Sequence, residues 1–289
     1  MERMNTTATE SDPLTPAATI IVLRPAPSGF EVLLLRRHSR SSVLAGAYVF
    51  PGGKLDAADA QLTTHLDQTP SALHAALGEP ELDPTSAAAM FVAAAREAFE
   101  ESGLLYAEEA GTEALAEATR RLRAGESFSA VLAALRLRLA TRALTPFSRW
   151  ITPRSAGHKR FDTRFFVATA PAGQEALHDN YEATESVWLT PRAALEQYMD
   201  DRLVFAPPQV MTMAQLARHQ SIDDVLARAA GRLPPLIRPH SFEHEGERAL
   251  CYPGDALHPV RDQLIPGPTR MIYRDQRFQP FNGLAGFFE

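Results

Sequence analysis

Glu97, Glu100 and Glu101 crowd three carboxylates into Arg96-Glu97-Ala98-Phe99-Glu100-Glu101. On a helix turning about 100° per residue they fall at about 0°, 300° and 40°, on one narrow face. Like charges so placed repel one another, and the C-terminal end of a helix, where the macrodipole is negative, suits them poorly. A solvated acidic face is the bland account of such a cluster. The chemical account is a site for a hard divalent cation such as Mg²⁺, which takes oxygen ligands and bridges carboxylates to phosphates. Two neighbours favour the second: Arg96 adjoins the cluster, and upstream stands Gly52-Gly53, a turn whose backbone N–H groups can approach a ligand.

A helix is needed to set the three carboxylates side by side, and its limits are written in the sequence. Asp83 followed by Pro84 is an N-cap with proline at the first helical position, Gly103 is a stop, and the alanine-rich segment between has high helix propensity. The spacing predicts one helix over about 84–102, with Phe91, Ala95 and Ala98 on a second face fit for a core.

Taken together, Gly53, Arg96, Glu97, Glu100, Glu101, Gly103 and Leu104 resemble the signature box of the Nudix hydrolases. That box runs Gly, five residues, Glu, seven residues, Arg-Glu, an apolar residue, any residue, Glu-Glu, any residue, Gly, an apolar residue. The chain departs from it twice: Asp59 stands where Glu is usual, and Arg96 follows it by 37 positions instead of eight, so about 29 extra residues split the box. An insertion at this place is similar to the type-19 branch, which includes the peroxisomal CoA diphosphatase. Further likeness lies in Leu33-Leu34-Leu35-Arg36-Arg37, Gly46-Ala47-Tyr48-Val49-Phe50-Pro51-Gly52-Gly53, Arg160-Phe161-Asp162-Thr163-Arg164-Phe165-Phe166 and Pro207-Pro208-Gln209. The wider CoA signature is partly kept, since His38 and Ser42 stand where Ser and Arg are usual.

The resemblance implies an α/β fold, a mixed sheet sandwiched between helices, with a helical addition and an irregular C-terminal tail. It implies a Mg²⁺- or Mn²⁺-dependent diphosphatase with Glu97, Glu100 and Glu101 as metal ligands. Glu97 is a further ligand or the general base, and Glu182, from a loop six residues before Trp188, competes for the base role; Glu185 is the fallback. Arg96 orients the carboxylates, while Arg37, Phe50, Gly52 and Gly53 meet the substrate. That substrate is a small nucleoside diphosphate derivative, CoA or acyl-CoA first, with NADH, ADP-ribose or a capped RNA end as rivals and a non-catalytic ligand sensor as the rival from another class. Pairing into a homodimer is compatible with the resemblance.

Composition sets outer bounds. The 289 residues are 45% hydrophobic, enough for a sizeable core. A net charge of −6 argues against general nucleic-acid binding, which rests on neutralising phosphates. The single cysteine, Cys251, excludes an intrachain disulfide, and no apolar run has membrane-spanning length, so a cytoplasmic protein with no membrane partner is expected.

Three divisions are expected: a disordered lead over 1–16, a Nudix domain over 17–231 and a Pro-rich extension over 232–289 packed on it. Within the domain, Ala17–Leu23 and Phe30–Leu35 should pair as a hairpin, followed by a basic cluster of Arg36, Arg37, His38 and Arg40. The insertion, about 60–83, reads as a surface excursion, either a lid or a loop tolerated because its ends meet cheaply. Helices are expected over Glu113–Ala124 and Ser127–Ala143, whose arginines are either a solvated face or a dock for a substrate's 3′-phosphate. Strands are expected at Ser148–Ile151, Phe161–Ala168 and Ser186–Leu189, and helices over Pro191–Asp200, Pro208–His219 and Ser221–Gly231.

Overall fold

The computed structural model of the chain describes residues 14–39, 44–154, 159–177 and 183–289. An eight-stranded mixed sheet forms its middle layer. The hairpin of β1 (Thr15–Ala26) and β2 (Gly29–Arg37) is longer at both ends than its apolar runs, and it takes Thr15 and Pro16 out of the expected lead. β3 (Tyr48–Val49) pairs with the far end of β2, and β4 (Gly52–Lys54) with the start of β1. β5 (Thr145–Ile151), β6 (Phe161–Thr169), β7 (Ala183–Leu189) and β8 (Leu236–Ile237) complete the sheet, with β6 parallel to β1 and β7 antiparallel to β2.

Alternation along the strands feeds two cores, one on each face. Ile20, Val22, Leu33 and Leu35 join Phe91 and Phe99 of the long helix, here α2 (Pro84–Ser102), together with α1 (Pro70–Leu77) and part of α3 (Thr112–Arg123) and α4 (Phe128–Leu135). Ile21, Leu23, Val32 and Leu34 join Leu195 of α5 (Pro191–Met199), Met211 of α6 (Pro207–Leu216) and Val225 of α7 (Ile222–Ala230). Burial on both faces is why the central strands read as almost unbroken apolar runs. The α2 helix has the predicted limits: Asp83 accepts the Thr85 and Ser86 N–H groups at 2.9 and 3.0 Å, and Gly103 closes it at φ 71°.

The insertion corrects the expectation of a surface excursion. Leu62, Leu66, Leu73 and Leu77 are buried in the same core as α2. The predicted helix over Ser127–Ala143 stops at Leu135, where Arg136 turns to φ 53°, because the next residues pair with the insertion instead. Leu139 N–H donates to the His65 carbonyl at 2.7 Å, Asp67 N–H donates to the Leu139 carbonyl at 3.1 Å, and the Asp67 carboxylate accepts the Thr141 N–H at 2.8 Å. Insertion and added helices therefore fold as one unit over α2.

A second anchor lies at the insertion's far end. Glu79, only 6% exposed, takes two bonds from Arg164 of β6 and an ion pair from Arg149 of β5, and Asp162 grips Arg149 bidentately at 2.8 Å for both bonds. The tail is more regular than expected: β9 (His240–His244), β10 (Glu247–Cys251), β11 (Arg270–Arg274) and β12 (Arg277–Gln279) form a separate antiparallel sheet. Tyr252, Ile265, Met271 and Phe287 enter the core under α5–α7, and the Tyr198 hydroxyl of α5 donates to the Phe278 carbonyl at 2.8 Å. Among the described residues no helix is long and apolar enough to cross a membrane.

Removing Glu79 would leave the buried Arg164 and the half-buried Arg149 short of an acceptor, whereas Glu81, with a side chain 56% exposed, stands in water. Glu79→Ala should cost about 3–5 kcal/mol in urea unfolding and Glu81→Ala less than about 1 kcal/mol. Equal, small losses would show that Glu79 does not anchor the insertion.

Candidate active site

Arg96 is the hub of the site. Its Nε and Nη2 donate to the two oxygens of Asp59 at 2.9 and 3.1 Å, Nη2 also donates to the Lys54 carbonyl at 3.0 Å, and Nη1 donates to Glu97 at 2.8 Å and Glu100 at 2.9 Å. A guanidinium has five N–H donors, and all five are used. Burial works against its charge, but the Asp59 bonds and the fields of Glu97, Asp59 and Glu100 outweigh that and hold its pKa above the ordinary arginine value. Asp59 is 1% exposed and is itself set by the Asp56 N–H at 2.8 Å. The residue is shorter than the Glu usual at this position, and a 3₁₀ turn over Asp59–Gln61 brings it into reach of Arg96, so the two halves of the split box meet.

The glycine pair supports the carboxylates from the other side. The Gly52 N–H donates to Glu101 at 2.9 Å, so this amide is spent on the protein's own carboxylate rather than held for a ligand. A Cβ on Gly52 would lie 2.7 Å from the Ala18 carbonyl oxygen, and one on Gly53 would lie 2.3 Å from a Glu97 oxygen. Close approach, not an unusual backbone angle, is what requires glycine here. Phe50, expected to meet substrate, is 2% exposed and packs edge-on against Phe165 in the core.

The alternation of β2 separates the neighbouring arginines. Leu33 and Leu35 lie on the α2 face, and past a register shift Arg37 pairs with Ala183, which belongs to the same core, where β7 begins. Arg36 belongs to the opposite face, where it pairs with Glu185 at 3.6 Å and the Tyr48 hydroxyl donates to Glu185 at 2.9 Å. Glu185 thus stands on the wrong face to serve the α2 carboxylates, which removes the fallback; Glu182, like Arg40, lies outside the described residues. The arginines of the added helices are largely engaged: Arg120 and Arg121 pair with Glu117, Arg138 with Glu108 and Arg142 with Asp67. Cys251 is 1% exposed and its thiol is pushed up to about 11, by burial first and then by Asp255, which suits a packed residue and not a nucleophile.

The donor set suits a hard divalent ion: carboxylates only, gathered on one helix end, in a cradle that a single Cβ at Gly53 would fill. Among the described residues no three acidic, histidine or cysteine side chains are already grouped as a ligand set. Arg96 draws Glu97 and Glu100 to itself, while Gly52 holds Glu101. Beside this centre opens a cleft of about 360 Å³, lined by Asp56, Asp59 and Leu62 from the insertion's start, Arg96 and Glu100 from α2, and Ser127, Phe128 and Ser129 from α4. The α4 residues escaped the sequence reading because their only signal, a serine N-cap, looks the same at any helix start.

A mixed sheet between helices, with a Gly-Gly strand backing an Arg-Glu-rich helix end, defines a Nudix hydrolase, an enzyme class that cuts phosphoanhydride bonds. A family model for the NUDT19 Nudix domain matches residues 9–216, and the chain belongs to that family. Among relatives, the acyl-coenzyme A diphosphatase NUDT19 of Xenopus laevis is 27% identical, with 90% of this chain and 80% of the relative covered. The human protein of the same name is 28% identical over 72% of this chain and 66% of its own length, just under two thirds. Among solved structures, a NUDIX hydrolase from Alicyclobacillus acidocaldarius superposes with a TM-score of 0.60 at 25% identity, covering 77% of this chain and 97% of that one.

Gly53→Ala drives a methyl into the Glu97 carboxylate. It should lower kcat at least about tenfold, the scale on which misplacement by an ångström costs rate, with far less effect on KM. An unchanged kcat would mean that Glu97 is not held by this contact.

Proposed function

We propose that the protein is a metal-dependent diphosphatase that hydrolyses CoA or acyl-CoA to 3′,5′-ADP and (acyl-)phosphopantetheine, acting with Mg²⁺ or Mn²⁺ in the cytoplasm. One observation carries the reading: Asp59 and Arg96 close the split box, which sets Glu97, Glu100 and Glu101 beside the Gly52-Gly53 strand. The relatives' name, acyl-coenzyme A diphosphatase, supplies the substrate class.

Hydrolysis joins the oxygen of water to one phosphorus and breaks the bridging P–O bond. The site must therefore take a proton from water and steady the charge on the leaving phosphate. A divalent ion, when bound, neutralises phosphate charge and acidifies water. Glu97, Glu100, Glu101 and the loop residue Glu182 would hold it. Glu97 or Glu182 takes the proton. Arg96 keeps Asp59 and Lys54 through Nε and Nη2, so Glu97 and Glu100 can leave Nη1 without releasing the guanidinium. Arg37 would grip phosphate oxygens, for which a planar guanidinium is suited.

The test is product analysis by chromatography with Mg²⁺ or Mn²⁺ and CoA, acyl-CoA, NADH, ADP-ribose and capped RNA. The expected result is 3′,5′-ADP from the CoA compounds, lost in the Glu100→Gln, Glu101→Gln double variant. Preferential cleavage of another substrate would overturn the CoA assignment, and binding without any turnover would replace the enzyme with a sensor.

A further inference from the structure

The cleft beside Glu100 exists because of two additions to the chain, the insertion and the α3–α4 segment, and it shares Arg96 and Glu100 with the catalytic centre. Its volume, about 360 Å³, lies near the lower end of the roughly 300–1,000 Å³ usual for ligand pockets, room for part of a large substrate and not the whole. The charges on its wall decide which part. Asp56, Asp59 and Glu100 contribute three carboxylates against one guanidinium, whose five donors are already used. A phosphorylated nucleoside would meet a wall richer in carboxylates than in cations. At the start of α4, Ser127 Oγ accepts the Ala130 N–H at 3.3 Å.

The remaining lining is neutral. Ser127 and Ser129 hydroxyls lie 3.0 Å apart, and whichever of them donates, the other keeps its proton for a further acceptor. Leu62 and Phe128 supply an apolar floor. Hydroxyl donors above apolar side chains fit an uncharged, flexible chain bearing amides, methylenes and a hydroxyl. We infer that this cleft holds the pantetheine half of the substrate, with the nucleotide half directed away from it, and that Ser129 is a specificity-determining residue. The assignment rests on the CoA diphosphatase reading.

The experiment fills the cleft from its serine side with Ser129→Trp in the full chain and measures inhibition by the two products separately, 4′-phosphopantetheine and 3′,5′-ADP, along with KM for CoA. Ser129→Leu, which keeps good helix propensity, serves as the second variant. Inhibition by 4′-phosphopantetheine should weaken at least about tenfold, with KM rising in parallel, the scale of steric discrimination in a packed pocket. Inhibition by 3′,5′-ADP should stay unchanged, which also shows that the variant is folded. Weakened 3′,5′-ADP inhibition, or no change in either constant, overturns the cleft assignment while leaving the activity standing. Failure of the wild-type protein to release 3′,5′-ADP from CoA overturns the activity and the assignment together.

Discussion

A single guanidinium holds the catalytic end of this fold in place. Three carboxylates at the negative end of a helix need a compensating charge, and Arg96 supplies it from the same helix. Bonded only to its helix neighbours, Arg96 would neutralise them without placing them. Its other donors reach Asp59 and the Lys54 carbonyl, which lie on the far side of the insertion from α2. One side chain therefore ties the 54–59 stretch to the end of α2, 37 or more residues away in sequence. The arrangement is buried enough that a missing partner would leave an uncompensated charge, so its members stand or fall together.

The insertion interrupts the box in sequence and leaves it intact in space. Its first residues turn at Asp59 to serve Arg96, its middle pairs with Leu139, and its end is held by Glu79 against Arg149 and Arg164. Three anchors at three depths make it a wall of the site. The α3–α4 segment, stitched to it through Asp67 and Thr141, supplies the opposite wall. Both additions lie on the α2 face of the sheet, while α5–α7 and the tail sheet cover the other.

Local signals were legible in the sequence, and pairings across distance were not. Asp83, Pro84 and Gly103 gave α2 its limits because caps act within a few residues. Apolar runs likewise revealed β1, β2, β6 and β7, although not their full lengths. The insertion was misread because Leu62, Leu66, Leu73 and Leu77 are spread among prolines, and only α2 makes them a face. Arg136 ends α4 in a left-handed conformation that no glycine announced. The tail's sheet was obscured by its prolines, which sit outside β9–β12. At the site, spacing alone put the helix carboxylates on one face; the burial of Phe50 and the face occupied by Glu185 depend on strand register, which a sequence does not print.

The central claim is that Asp59 and Arg96 act as one unit to assemble the carboxylates. A double-mutant cycle on kcat for CoA, with Asp59→Asn, Arg96→Gln and the combination, tests it most directly. If the pair works as a unit, the double variant should be about as slow as the slower single variant. Losses that simply multiply would contradict the account, because they would show the two residues serving the reaction independently.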